Sequence, residues 1–442
     1  MIRVTGFNKA KALLTRRIFP EITLPAGVKA KIRDVFGGEL TPDQVVERII
    51  ADVRSQGDEA LFDYTKKLDE VELSFFEVGQ GEIQAAWQKA DQGLVSALKL
   101  AADRIWAFHL KCQQKGRSSF SENGLAQQLR PLDRVGIYVP GGAAAYPSTV
   151  LMTAIPARVA GVREIIIITP PRKDGSIPAA TLIAGHIAKV DRIFKIGGAQ
   201  AIAALAFGTQ TIPKVDKICG PGNIFVVLAK KKVYGIVDID GLQGPSEIVI
   251  VADDTADPYL CAADLLAQAE HDPLASVILI TTSSELANKV ATEAEEVKKL
   301  ESQTTLSQAL ERGMLIMVDN LDEAIELVNL FAPEHVSLIV ENAERYINQI
   351  SSAGCIFVGE ASAVALGDYV AGPSHVLPTG GCARFSSPLG INDFVKATNI
   401  ISLDKATLQK LGQAAITMAK AEGLPYHARS VEIRLKRREK DR

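Results

Sequence analysis

Cysteine is sparse, odd in number and scattered: Cys112, Cys219, Cys261, Cys355 and Cys382 form no C-x-x-C pair. Such spacing argues against a disulfide framework or a thiolate zinc site and suits a reducing compartment. Charge of one sign is also lacking. A formal net charge of −3 over 442 residues gives no electrostatic footing for nucleic acid. The basic run Arg434, Lys436, Arg437 and Arg438 reads as a solvated terminus. Residues 1–20 have neither the apolar core nor the cleavage site of a signal peptide. One uncharged run, 135–157, reaches membrane-spanning length, but Pro140, Gly141, Gly142, Pro147 and Pro156 break it into strand, turn and helix. HExxH and G-x-G-x-x-G are both missing, so no single motif announces a metalloenzyme or a dinucleotide site. What remains is an expectation of a cytoplasmic globular chain. Its 47% apolar and 23% charged residues are ordinary for one, and its length suits two to four domains.

The first 130 residues read as largely helical. Thr41-Pro42-Asp43 supplies a cap and a first-turn proline, and Val45, Val46, Ile49, Ile50 and Val53 then share one helical face. A longer amphipathic stretch runs over 82–112 and carries Trp87 and Trp106 as core residues. From residue 135 the pattern changes to short apolar runs separated by helix-length segments. The first series is 135–139, 164–169, 192–196 and 215–219; the second is 248–251, 277–281, 315–318, 336–340 and 355–358. Runs this apolar are typical of strands buried on both faces of a parallel sheet. Two series predict two doubly wound α/β domains. A final strand at 399–403 and a helix at 404–422 make a piece too short for a core of its own, better suited to packing on a partner surface.

Histidine is the other scarce residue, with six in the chain. His109 and His186 sit in apolar helical patterns and read as structural. The other four accompany carboxylates or amides: Gln268-Ala-Glu-His271, Glu334-His335, Asp368 with His375, and Glu422 with His427. Imidazole and carboxylate bind divalent metals and move protons near neutral pH. Gln268 and His271, three apart at the end of a helix expected over 258–271, lie on one face and are able to bite one metal. They equally fit a polar helix terminus complementing the dipole. Asp368 and His375 fall in a loop dense in glycine and proline, where either function or turn chemistry needs them. Glu422-Gly423-Leu424-Pro425 has the form of a helix stop. Glu334 and His335 follow Pro333, which favours an extended Ala332. An acid and a base side by side suit proton transfer, and a solvated carboxylate beside a capped imidazole is the plain alternative. The turns Pro140-Gly141-Gly142, Gly197-Gly198-Ala199-Gln200 and Gly220-Pro221-Gly222-Asn223 each follow a strand and precede a helix. There backbone N–H groups can meet a phosphate, or glycine can simply permit tight packing.

In this order the segments resemble histidinol dehydrogenase, the last enzyme of histidine biosynthesis. The likeness is carried by Val135-Gly-Ile-Tyr-Val-Pro-Gly-Gly142, Gly197-Gly-Ala-Gln-Ala-Ile-Ala-Ala-Leu-Ala-Phe-Gly208, Gly220-Pro-Gly-Asn223, Gly244-Pro-Ser-Glu247, Ala269-Glu-His271, Pro333-Glu-His335 and the run from Ala421 to Arg434. The resemblance implies a zinc- and NAD-dependent homodimer that oxidises L-histidinol to L-histidine through a bound aldehyde in two hydride transfers. It implies Gln268, His271, Asp368 and His427 as ligands of one zinc per subunit, with Glu334 and His335 as the catalytic pair. Substrate would meet Ser246, Gln268, His271, His335, Asp368, His375, Glu422 and His427; NAD would meet Tyr138, Gln200 and Asn223. In the family, Glu422 and His427 reach the neighbouring subunit's site.

The division expected is an N-terminal helical segment (1–24), a first α/β domain (25–130 with 245–388) carrying metal and catalytic residues, an NAD-binding α/β domain (131–244), and a small C-terminal segment (389–442). Two departures from the family pattern stand out: Asp240-Gly-Leu-Gln243 where a Met-Pro-Ala-like run is expected, and Pro373-Ser374 where Thr-Asn is frequent. A zinc hydrolase with Glu334 as base for metal-bound water is the rival chemistry, and a non-catalytic small-molecule binder the rival class.

Overall fold

The structure, a computed structural model, describes residues 1–15, 24–116, 118–141, 145–300 and 304–436. Gly142 and the arginines Arg437 and Arg438 of the basic run lie outside the described residues. The chain forms two units: 1–114 with 132–394, and 115–131 with 395–442.

The larger unit holds both expected strand series as separate parallel sheets. The five-stranded sheet runs Arg192–Lys195, Glu164–Thr169, Arg134–Tyr138, Lys217–Cys219, Asp238–Ile239. The six-stranded sheet runs Ile2–Thr5, Met314–Met317, Ser276–Thr281, Glu247–Ala252, His335–Ile339, Cys355–Val358. In each, the chain starts a series in the middle, builds outward one way, then returns to build the other way. That reversal is the signature of a doubly wound fold.

Burial explains why these segments are strands. In the six-stranded sheet Ile248, Ile250 and Leu279 face one apolar core, and Val249, Val251, Ile278 and Ile280 face another. Period-two side chains that are apolar on both faces need helices above and below. Pro258–Ala269, Ser284–Leu300 and Thr304–Arg312 cover one face; Phe7–Leu14 and Leu321–Phe331 cover the other. Each fully buried Ile or Leu contributes roughly 1.5–3 kcal/mol.

The structure redraws several expected boundaries. The N-terminal segment opens with a strand, Ile2–Thr5, which pairs in parallel with Met314–Met317 before its helix begins. Residues 26–64 pack on the five-stranded sheet's core instead of the six-stranded one. Val45, Val46, Ile49 and Val53 lie in the same apolar core as Ala199, Ile202, Ala203 and Ala206 of helix Gly198–Phe207, whose small side chains admit a close helix. The expected cap at Thr41 is a full capping box with Gln44. The long helix over 82–112 is two helices, Gln80–Gln88 and Gln92–Lys115, because Asp91 accepts the Leu94 N–H (2.7 Å) and starts the second afresh.

The smaller unit is a three-stranded antiparallel sheet, Val395–Ile401, Leu125–Pro131, Phe120–Glu122, with the helices Lys405–Ala421 and Pro425–Lys436 packed on each other. Asp404 caps the first helix. Pro425, expected only to stop that helix, opens a second one at its first position. Of the larger side chains on this pair, only Ile416 is buried, beside the small Gly412 and Ala428.

Candidate active site

Two cavities in the larger unit collect most of the residues singled out above. The first, about 970 Å³, lies at the carboxyl ends of the five-stranded sheet, where strand order reverses between Arg134–Tyr138 and Lys217–Cys219. Tyr138, Gln200 and Asn223 all line it. Gln200 is fully buried and neither its amide nitrogen nor its amide oxygen has a partner. Such a group costs about 1–3 kcal/mol unless something satisfies it. Tyr138 accepts the Gly198 N–H (3.2 Å), and burial pushes its phenol up to about 12, so the O–H stays on to donate. Asn223 caps helix Ile224–Val233 with its side-chain oxygen, leaving its NH₂ for the cavity. Asp69, which the sequence did not single out, lines the same cavity with one buried, unpartnered oxygen. Burial raises its carboxyl to about 6 against the pull of Lys31 and Lys173.

The second cavity, about 780 Å³, lies at the amino ends of the central strands of the six-stranded sheet. Ser246, Gln268, His271, Glu334, His335, Asp368 and His375 all line it. Ser246 immediately precedes strand Glu247–Ala252, and Glu334 immediately precedes strand His335–Ile339. The helix expected over 258–271 ends at Ala269, leaving Gln268 buried in its last turn and His271 exposed beyond it. Pro140 and Asn223 line both cavities, so the two share a wall.

The Glu247 peptide organises Glu334 and His335. Its N–H donates to a Glu334 carboxylate oxygen (3.0 Å) and its carbonyl lies 3.0 Å from His335 Nδ1. A carbonyl only accepts, so Nδ1 carries the proton and Nε2 of the neutral ring is the free base. That Nε2 is buried without a hydrogen-bond partner, 3.6 Å from an Asp368 oxygen. His375 is fixed the same way, Nδ1 donating to the Asp368 carbonyl (2.7 Å). Burial lifts the Glu334 carboxyl to about 7, with His335 opposing. Burial disfavours charge on His335, but Asp368 and Glu334 outweigh it and raise its basicity. Burial likewise opposes ionisation of Asp368, and His335 overcomes it and holds that carboxyl below its usual range.

The sequence missed the role of Glu247. Its buried carboxylate also accepts the Gly380 N–H (3.3 Å), tying in the loop after His375. The available signal was its place, one residue after Ser246 at the head of an apolar run. Ala332 departs from the extended form expected before proline: it is left-handed (φ 52°) and ends helix Leu321–Phe331. Proline disfavours right-handed helix in the residue before it, and a left-handed turn also reverses the chain in one step.

Glu422 and His427 belong to the smaller unit, Glu422 capping the end of helix Lys405–Ala421 and His427 in the first turn of Pro425–Lys436; both are exposed. Among the described residues, no three His, Cys, Asp or Glu side chains stand close enough to hold a metal by themselves. The expected ligand set includes an amide, Gln268, and divides between the units.

Comparison with known proteins points one way. Residues 39–435 match the family model of histidinol dehydrogenase. A histidinol dehydrogenase of Dehalococcoides mccartyi strain CBDB1 is 56% identical over 98% of this chain and 99% of its own length. One of Deinococcus radiodurans is 49% identical over 97% and 98%. The crystal structure of histidinol dehydrogenase from Elizabethkingia anophelis superposes with a TM-score of 0.89 at 36% identity, covering 99% of this chain and 98% of that one.

Proposed function

The chain belongs to the histidinol dehydrogenase family, and from that premise we propose that it oxidises L-histidinol to L-histidine with NAD and one zinc ion, through a bound aldehyde. The observation that carries this reading is the shared wall of the two cavities. One holds an acid–base pair set by a single peptide; the other, alongside it, holds a buried amide awaiting partners. A hydrolase needs the cavity of Glu334 and His335 but gives no use to the cavity of Gln200.

The residues fit both groups. Gln268, His271 and Asp368 offer an all-nitrogen-and-oxygen set in one cavity, which suits zinc. Gln200, Tyr138 and Asn223 offer donors and an acceptor matched to amide and hydroxyl groups of a dinucleotide. When bound, zinc supplies a Lewis acid that orients the substrate's imidazole and amine, and NAD accepts hydride.

His335 Nε2 takes the alcohol proton as the carbinol hydrogen leaves as hydride. Glu334, poised near neutrality, then activates water for attack on the aldehyde, and His335 serves again in oxidation of the hydrate. His375 and Ser246 contact substrate from the same cavity. Enclosure keeps the aldehyde from escaping between steps.

A homodimer completes the reading, with Glu422 and His427 of one chain serving its partner's site. Its support is apolar exposure on the smaller unit, where Ile401, Met418, Tyr426 and Ile433 are all more than half exposed. The deciding experiment measures NADH formation from histidinol before metal removal by a chelator, after it, and after zinc is restored. Activity lost and then recovered is expected. Undiminished activity in the stripped enzyme defeats the zinc assignment, and absence of NADH in the zinc-loaded enzyme defeats the dehydrogenase reading.

A further inference from the structure

Against the Gly220–Asn223 turn lies a buried polar cluster that the mechanism does not use. Lys230, on helix Ile224–Val233, and Asp240 form an ion pair whose side chains are each 1% exposed. The ammonium also donates to the Gly220 carbonyl (3.0 Å) and to the Gln243 side-chain oxygen (2.9 Å), so its three N–H groups are all used. The second Asp240 oxygen accepts the Gly220 N–H (2.7 Å). Both backbone polar groups of Gly220 are therefore held by one ion pair. Gly220 has no slack: its φ is +109°, and a Cβ there would lie 2.0 Å from the Tyr138 carbonyl.

An ion pair this deep adds little net stability, because desolvation offsets attraction; what it fixes is geometry. Gly220 opens the turn Pro221-Gly222-Asn223, which lines the second cavity and, through Asn223, the first. Gln243 lies within the connection from the five-stranded to the six-stranded sheet. Three residues on stands Ser246, and the next residue, Glu247, sets Glu334 and His335. The Gly244 N–H anchors that connection to Thr379 (2.6 Å).

We propose that Gln243 is a positioning residue: through the Lys230–Asp240 pair it locks the Gly220–Asn223 turn to the strand that sets Glu334 and His335, holding both cavities in one register during turnover. Its kinetic consequence rests on the dehydrogenase reading; the coupling itself does not.

Gln243→Met keeps the length and removes the acceptor, and Gln243→Glu keeps both. Since displacement by about 1 Å costs up to about 100-fold in rate, Gln243→Met should lower kcat about 10-fold with both KM values within about 2-fold. Gln243→Glu should restore kcat. A merely structural bond would lower the denaturation midpoint without this split or this rescue. Independently of activity, backbone hydrogen exchange in Gln243→Met should quicken together at 220–223 and 244–247. Wild-type kcat in Gln243→Met, failure of Gln243→Glu to restore it, or exchange that quickens only next to residue 243 would each overturn the proposal. If wild-type protein makes no NADH from histidinol, the dehydrogenase reading fails and the exchange measurement still decides the coupling.

Discussion

His109 offers a sharp test of which histidines are structural. It lies on helix Gln92–Lys115, 2% exposed, with neither ring nitrogen partnered. Burial depresses its basicity from the ordinary 6.5 to about 4. In the native state the ring therefore stays neutral down to about pH 4, while in the unfolded chain it takes a proton below about 6.5. Between those limits the unfolded state binds more protons, so stability falls as pH falls, and below about 4 no further loss accrues. At about 1.4 kcal/mol per pH unit, the gap from 6.5 to about 4 amounts to about 3 kcal/mol. His109→Leu removes the titration and two unmade hydrogen bonds. It should be as stable as wild type at pH 7 or about 1 kcal/mol more so, and about 3 kcal/mol more resistant by pH 4. Urea unfolding at a series of pH values, followed by the fluorescence of Trp87 and Trp106 in the same unit, measures this. Carboxylate titrations common to both proteins cancel in the difference. Parallel stability curves for the two proteins would refute the assignment of His109 as a buried neutral ring.

Glu334→Gln keeps the bond from the Glu247 N–H but cannot activate water. It should spare the first hydride transfer and slow the second by about 100-fold or more in single-turnover measurements, and equal loss of both steps would remove Glu334 from that role. Gly220→Ala should destabilise the larger unit by about 3 kcal/mol or more, read from the denaturant midpoint. Its methyl meets the Tyr138 carbonyl, backbone that cannot rotate away, at a φ that L-residues avoid.

How much of this was legible in the residues depends on the range of the interaction. The strand at 164–169 was readable to the residue, because four consecutive isoleucines buried on both faces leave no other period. The Thr41 cap was readable because its partner, Gln44, is three residues away. Boundaries failed where a distant partner decided. Residues 26–64 carry a clear apolar stripe, but a stripe does not say which sheet it covers; the alanines of Gly198–Phe207 settle that.

The site shows the same limit more sharply. In a doubly wound sheet, ligands gather at the carboxyl ends of strands, and the cavity lined by Tyr138 and Gln200 obeys that rule. The cavity of Glu334 and His335 lies at the amino ends of its strands, so strand order alone would have placed it on the wrong side of its sheet. What locates it is the Glu247 peptide, whose N–H and carbonyl reach across one strand pair to residues 87 and 88 positions away. No local pattern encodes a backbone group serving as a template. That is why Glu334 and His335 were legible as candidates by type and likeness, while the group that aims them was visible only once the strands were paired.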